Sequence, residues 1–275
     1  MANRLALFAG AGVLVPYAIA AAQQAGYKVQ VLALAPRDDL TGVKVVAADL
    51  ANPLAILWSM KTFRATHMLM VGGVYLSDRT REGLIRFAGG GEASAGPVGD
   101  ASLSGLGTAL KRITGATLIG IHEIAPELLA GEGLLAGPVL DEGQLAAAQF
   151  GIETARGIGA LDIGQAAVIS GKRVISVEDI GGTDGLLARV ADYRGRGLTG
   201  DGSAPLVLAK SSKPQQPLYV DLPAIGPDTI ANAGLAGVSI IVVEAGRTLL
   251  LEREKLLAAA SAANISILGV ALDNG

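Results

Sequence analysis

The run AKSSKPQQPLYVDLPAIG, residues 209–226, gathers the groups best able to do chemistry. Lys210 and Lys213 stand three apart, Gln216 follows, and Asp221 precedes Leu222 and Pro223. Ammonium groups at that spacing neutralise adjacent phosphates, and Gln216 donates to an oxygen. Asp221 sits at the end of a β run and is held by Pro223 two residues on. A solvated loop laced with salt bridges would also use such charges. Prolines on both sides favour a site, because stiff flanks pre-organise side chains.

Other segments supply further candidates. In VEDIGGTDG, Glu178 and Asp179 leave a strand, Gly181 and Gly182 form a loop, and Thr183 and Asp184 open a helix. Strand, glycine pair and helix N-terminus together make an anion cradle with hydroxyl and backbone donors. Thr183 taken alone reads equally well as an N-cap. Asp162 and Gln165 lie in GALDIGQAA, where a turn explains the aspartate more readily than Gln165 in so apolar a setting. His122 follows LIGI at an expected strand end, where α/β proteins place binding groups. His67 opens an apolar strand and reads as structural. Gly10 and Gly12 in GAGVLV resemble a dinucleotide fingerprint, but a third glycine and a ribose-binding acid are missing. That turn reads first as one needing glycine's freedom, with a phosphate or sugar at the helix N-terminus as the alternative.

Composition narrows the chemistry. The 275 residues include no cysteine, which excludes thiol nucleophiles, disulfides and iron–sulfur clusters and suits a reducing compartment. Two histidines cannot furnish a dinuclear metallophosphoesterase centre. A net charge of −3 leaves no basic surplus for nucleic acid. Residues 5–24 carry no charge and imitate a signal peptide, yet Gly10, Gly12 and Pro16 interrupt them. A buried strand, a glycine turn and a helix fit better, giving the expectation of a mature cytoplasmic protein.

The elements that must hold these groups alternate between strand and helix. Strands are expected at Leu5–Ala9, YKVQVLAL, VKVVAAD, HMLMVGG and ATLIGIHEI, with helices at Val15–Ala25 and after Asn52–Pro53. AGGGEASAGPVGDASLSGLG reads as a mobile loop and APELLAGEGLLAGPVLDEG as a connector. Beyond them come the helix QLAAAQFGIETARGIGAL, a hairpin turning at Ser170–Gly171–Lys172, the helix TDGLLARVADY and the strand PLVLAK. GPDTIANAG, VSIIVVE, EREKLLAAASAAN and ISILGV then give helix, strand, helix and strand. The expected architecture is two α/β domains, residues 1–130 Rossmann-like and residues 131–275 catalytic, with the ligand in a cleft between them.

The segments ALDIGQAAVI, VE…GGTDGLLARV, LAKSSKPQQ…VDLPAIG and AGLAG…EAG resemble the UDP-2,3-diacylglucosamine pyrophosphatase family of lipid A biosynthesis. The likeness is close over residues 145–270, and ALFAGAG and GIHE extend it more weakly toward the N-terminus. The resemblance implies Mg²⁺-dependent hydrolysis to UMP and 2,3-diacylglucosamine 1-phosphate, in a cytoplasmic homodimer that can touch the inner membrane peripherally. It implies that Asp221 is the essential acid, Lys210 and Lys213 are the lysines, and Thr183 and Asp184 are the Gly-Thr-Asp pair; metal ligands stay unassigned. The chain departs from the pattern at Gly181, where a glutamate is expected, and at Tyr219, where an arginine is. It also departs at Gly99–Asp100–Ala101 and by an extra residue in GAGVLVP. Those departures motivate an alternative, a non-catalytic sugar-nucleotide or lipid-binding protein.

Overall fold

Uninterrupted apolar runs become the buried central strands of two main sheets. The computed structural model describes residues 3–73, 82, 100–199, 204–214, 218–219 and 222–272. The chain divides into two compact units, Met1–Pro126 with Pro217–Asp221, and Glu127–Gln216 with Leu222–Gly275.

In the first unit β1 (Arg4–Ala9), β2 (Lys28–Ala33), β3 (Lys44–Ala47), β4 (His67–Val71) and β5 (Thr117–Leu118) form a parallel sheet in the order β3-β2-β1-β4-β5. Helices α1 (Leu14–Gln24), α2 (Pro53–Phe63) and α3 (Asp100–Thr114) make the crossovers. This is the expected Rossmann-like winding. Asn52 starts α2 by accepting the Ala55 N–H, Pro53 takes its first position, and left-handed Arg64 ends it. Phe8, Leu32, Ile56, Met60, Met68 and Leu110 fill the core. The charge-free N-terminal stretch resolves into β1 and an 11-residue helix. Among the described residues no helix is long and apolar enough to cross a membrane.

The second unit holds β6 (Gly133–Ala136), β7 (Ala166–Ser170), β8 (Arg173–Val177), β9 (Leu206–Lys210), β11 (Ile240–Glu244) and β13 (Ser266–Val270) in the order β6-β13-β11-β9-β7-β8. The central β9, β11 and β13 are parallel, and β6 and the β7–β8 hairpin flank them antiparallel. A small pair, β10 (Ala224–Ile225) with β12 (Leu249–Leu250), lies outside this sheet. Helix α5 (Glu142–Ala160) buries Ala148, Ile152 and Ala155 against Ile169, Val207 and Val242 on one face. On the other face α6 (Gly182–Gly195), α7 (Pro227–Ala236) and α8 (Arg253–Ala262) cover Val168, Leu208 and Ile241.

Three sequence expectations are corrected. Residues 100–107, read as loop from their Gly, Ser and Ala content, begin α3. The strand through His122 stops at Leu118, and the four-residue helix α4 (Ile121–Ile124) follows, because Glu123 Oε1 turns back to accept the Gly120 N–H at 2.8 Å. The connector contains β6.

Candidate functional site

At one edge of the second sheet, the carboxyl ends of β9 and β11 meet the start of β7 and the end of β8. Lys210 closes β9 opposite Ala166, and the Glu178 N–H bonds the Ala166 carbonyl from the far side at 2.8 Å. Residues directly across a sheet share a face, so Lys210 and Glu178 stand on the side covered by α6. The carboxyl edge of parallel strands is where α/β sheets place ligands.

Lys210 is buried, and its Nζ donates to Thr183 Oγ1 at 2.8 Å and to the Ala224 carbonyl at 3.0 Å. Thr183 therefore does not act as the N-cap that its position at a helix start suggests. Gly181 takes that place, without a side-chain cap bond. The hydroxyl instead joins two sequence motifs that lie 27 residues apart. Lys213 forms an ion pair with Asp162, both largely buried. Asp162 adopts left-handed φ of 56° in the turn that precedes β7. Gln165, two residues before Ala167, accepts the Ser211 N–H through its carbonyl at 3.0 Å.

The acids of VEDIGGTDG take different roles. Asp179 accepts the Gly181 N–H at 2.8 Å and pairs with Arg189 at 3.1 Å. Those partners, the Gly181 N–H foremost, hold its carboxyl below the usual carboxylate range. Asp184 is exposed and accepts from Asn232 Nδ2 at 3.0 Å. Glu178 Oε2 is buried and has no hydrogen-bond partner among the described residues. Gly164 packs so closely on Glu178 that a Cβ there would meet the Glu178 carbonyl at 2.5 Å.

Sequence reasoning missed the groups beneath the lysines. Glu244, closing β11, is buried and accepts at Oε2 from Ser211 Oγ, Ser212 N and Ser212 Oγ, each at 2.8 Å. Arg247 Nε donates to Ser212 Oγ at 2.8 Å and lies 3.5 Å from Glu244 Oε1. The available signal was a charge ending the apolar run VSIIVVE. Exposed Leu161, Ile163 and Ile180 occupy the two turns at the same edge.

The first unit brings Gly10, Gly12 and His122 to the carboxyl edge of its own sheet. Gly10 N–H donates to Val71 O at 2.8 Å and Ala11 N–H to Gly73 O at 2.9 Å, so these amides serve the turn itself. A Cβ on Gly10 would meet Gly73 O at 2.4 Å. Gly12, at φ 107°, offers its carbonyl to Arg37 Nη1, which also holds the Gly10 carbonyl. Asp39 pairs with Arg37 at 2.6 Å, and that bond lowers the Asp39 carboxyl below its ordinary range. His122 Nδ1 is buried without a partner among the described residues. His67 packs edge-on against Tyr27 and bonds Thr66 Oγ1.

Asp221 and Gln216 lie outside the described residues. Among the described residues no group of three or more His, Asp or Glu side chains could hold a metal.

Two solved structures align along most of the chain. The Thermus thermophilus UDP-glucose 4-epimerase complex with NAD is 18% identical with a TM-score of 0.33, covering 97% of this chain and 85% of that one. An Agrobacterium tumefaciens short-chain dehydrogenase/reductase superfamily protein with bound NAD is 14% identical with a TM-score of 0.31, covering 98% and 85%. Both likenesses are too slight to bear on fold or ligand. A sequence relative, the UDP-2,3-diacylglucosamine pyrophosphatase LpxI of Caulobacter vibrioides, is 42% identical over 160 residues. That alignment takes in 57% of this chain and 56% of the relative, so the chain spans little more than half of the relative's length. Residues 4–128 match the LpxI N-terminal domain and residues 131–268 the LpxI C-terminal domain. With both domains matched in order along nearly its whole length, the chain belongs to the LpxI family.

Proposed function

We propose that the protein hydrolyses the diphosphate of UDP-2,3-diacylglucosamine, releasing UMP and 2,3-diacylglucosamine 1-phosphate in lipid A biosynthesis. Family membership supports this, as does the name of the Caulobacter relative. One observation carries the reading to particular residues: the 2.8 Å bond from Lys210 Nζ to Thr183 Oγ1, which unites a phosphate-neutralising cation with a helix N-terminus. Lys213 adds a second cation on the turn that follows β9, and Gln216 a further donor.

Diphosphate cleavage needs charge stabilised on the phosphate oxygens while the bridging bond breaks. Lys210 and Lys213 stabilise that charge, and Thr183 holds Lys210 in place. Lys213 exchanges part of its pairing with Asp162 for the substrate. Asp221 accepts the proton of the attacking water or positions a metal ion. Gly10, Gly12 and His122 are proposed contacts for the rest of the nucleotide sugar, and Gln165 and Asp184 line the phosphate side. The orphaned Glu178 oxygen suits a Mg²⁺ ligand, with water and substrate oxygens filling the rest of its shell, since Mg²⁺ keeps waters and takes few protein carboxylates. When bound, Mg²⁺ supplies charge neutralisation at the diphosphate. Exposed Leu161, Ile163 and Ile180 suit a substrate with two acyl chains. The same reading takes the protein as a cytoplasmic homodimer with peripheral contact at the inner membrane.

The test is incubation with UDP-2,3-diacylglucosamine and Mg²⁺ while UMP is followed. Release of UMP that stops in chelator and resumes with Mg²⁺ is expected. Binding without release would make the protein a carrier or sensor instead, as the departures at Gly181 and Tyr219 suggest. Turnover undiminished in chelator would remove the metal.

A further inference from the structure

We infer that Glu244 is a positioning residue that sets the direction of Lys213 relative to Lys210 through the Ser211–Ser212 turn. The inference rests on reading this edge as a diphosphate site, and it gives a role to the Glu of the EAG segment, to which the resemblance assigned none. Along a strand, residues three apart point to opposite faces. Lys210 and Lys213 can serve one anion only if the chain turns between them, and that turn is bonded to Glu244.

The register explains how. Val243 of β11 pairs with Lys210 of β9, so Glu244 lies one step further on, alongside Ser211. Its Oε2 accepts two hydroxyls and the Ser212 backbone N–H, each at 2.8 Å. Ser211 N–H turns the other way, to the Gln165 carbonyl at 3.0 Å, and Ser211 Oγ also reaches the Ser212 carbonyl at 3.1 Å. The turn is thus fixed at backbone and side chain from both neighbouring strands. Ser212 passes the linkage on by accepting from Arg247 Nε. Glu244 and both serines are almost wholly buried, and Glu244 is 3% exposed. A charge taken so far out of water needs several donors to be tolerated, and these are strong, charge-assisted ones. Just beyond them the backbone at Lys213 packs against Gly159, where a Cβ would stand 3.5 Å from the Lys213 Cα. That packing leaves Lys213 little room to shift if the turn does.

Glu244→Gln keeps the shape but sets an amide NH₂ against a shell made of donors. The measurement is calorimetric binding of inorganic pyrophosphate to the full-length wild type, Glu244→Gln, Lys213→Ala and the double variant, with UMP release followed in parallel. Glu244→Gln is expected to weaken pyrophosphate binding about tenfold, the scale of removing one charge-assisted hydrogen bond. In the Lys213→Ala background it should cost no more than about twofold, because the residue it acts through is gone. Losses that add in full would make Glu244 a purely structural residue and overturn the inference, as would a wild type that does not bind pyrophosphate. A wild type that binds, shows the coupling and releases no UMP would leave the inference standing and overturn the proposed hydrolysis. Should Glu244→Gln not fold, Ser212→Ala removes one hydroxyl of the network while keeping its backbone N–H. The same coupling to Lys213→Ala, on a smaller loss, is expected there.

Discussion

The two sheets offer ligands the same kind of edge, and they finish it by opposite means. In the first unit the edge is made of backbone. Glycines at positions 10 and 72 let two loops touch, and the Gly10 and Ala11 amides are consumed by carbonyls across the gap. In the second unit the edge is made of side chains: Lys210 on Thr183, Lys213 on Asp162, and Glu244 beneath them. Backbone closure gives shape with little charge, whereas side-chain closure gives charge whose direction depends on partners. The second kind can supply the cationic charge that a diphosphate under attack calls for.

The largest effect expected from this contrast is at Asp221. Asp221→Ala should lower hydrolysis by on the order of a hundredfold or more while binding survives, as for a group acting mainly in the transition state. Turnover and product retention on a variant with an unchanged melting curve measure this, and a wild-type rate would break the assignment. Next comes Gly10→Ala. A methyl group 2.4 Å from the Gly73 carbonyl must push the loops apart, at about 1–3 kcal/mol of stability. The reading is a melting curve, and an unshifted one would show that the first edge is looser than its contacts imply.

A smaller effect sharpens the contrast from the other side. Gly181→Glu supplies the glutamate that the resemblance leads one to expect there, and a Cβ at Gly181 meets only Asp179 Oδ1, at 3.1 Å, and looser neighbours. Its φ of −75° suits any residue. Hydrolysis should rise by a few-fold (roughly two to five) in steady-state assays. A fall would mean that the edge has been rebuilt around glycine. The smallest effect concerns Asp179, whose folded carboxyl sits below its unfolded value. Such a group stabilises the fold above its unfolded pKa, and loses that contribution as pH falls through the folded one. Melting temperatures of wild type and Asp179→Asn should therefore differ at neutral pH and converge in strong acid. A gap that widens toward acid would reverse the sign. Because Asp179 is solvent-exposed, the gap should be slight.

The alternation of apolar runs and glycines made both α/β units legible in the sequence, because parallel strands buried on two faces leave unbroken runs. Residues 100–107 misled through composition, since Gly and Ser read as loop even where Ala109 and Leu110 pack a helix into the core. His122 misled through a strand-like pattern that the bond from Gly120 N–H to Glu123 overrides. The lysines and Thr183 were visible as types. Their union was not, because 27 residues separate Lys210 from Thr183 and only the register of β7, β8 and β9 brings them together. Glu244 looked like an ordinary strand end, since nothing local shows that a neighbouring strand's turn lies against it.

The place of β6 at the margin of the second sheet carries a consequence for synthesis. Its one neighbour in that sheet is β13, the last strand described, while every described strand of the first sheet is available once Leu118 has been made. On a ribosome the first sheet can therefore form while the second waits, its β6 and β11 both unpaired on the side that β13 will fill. Strand pairings so distant in sequence form slowly, and open strand edges invite pairing with other chains. The half of the molecule that concentrates its charge is thus also the half with the longest exposure to misassembly, and the arrival of β13 sets when that exposure ends.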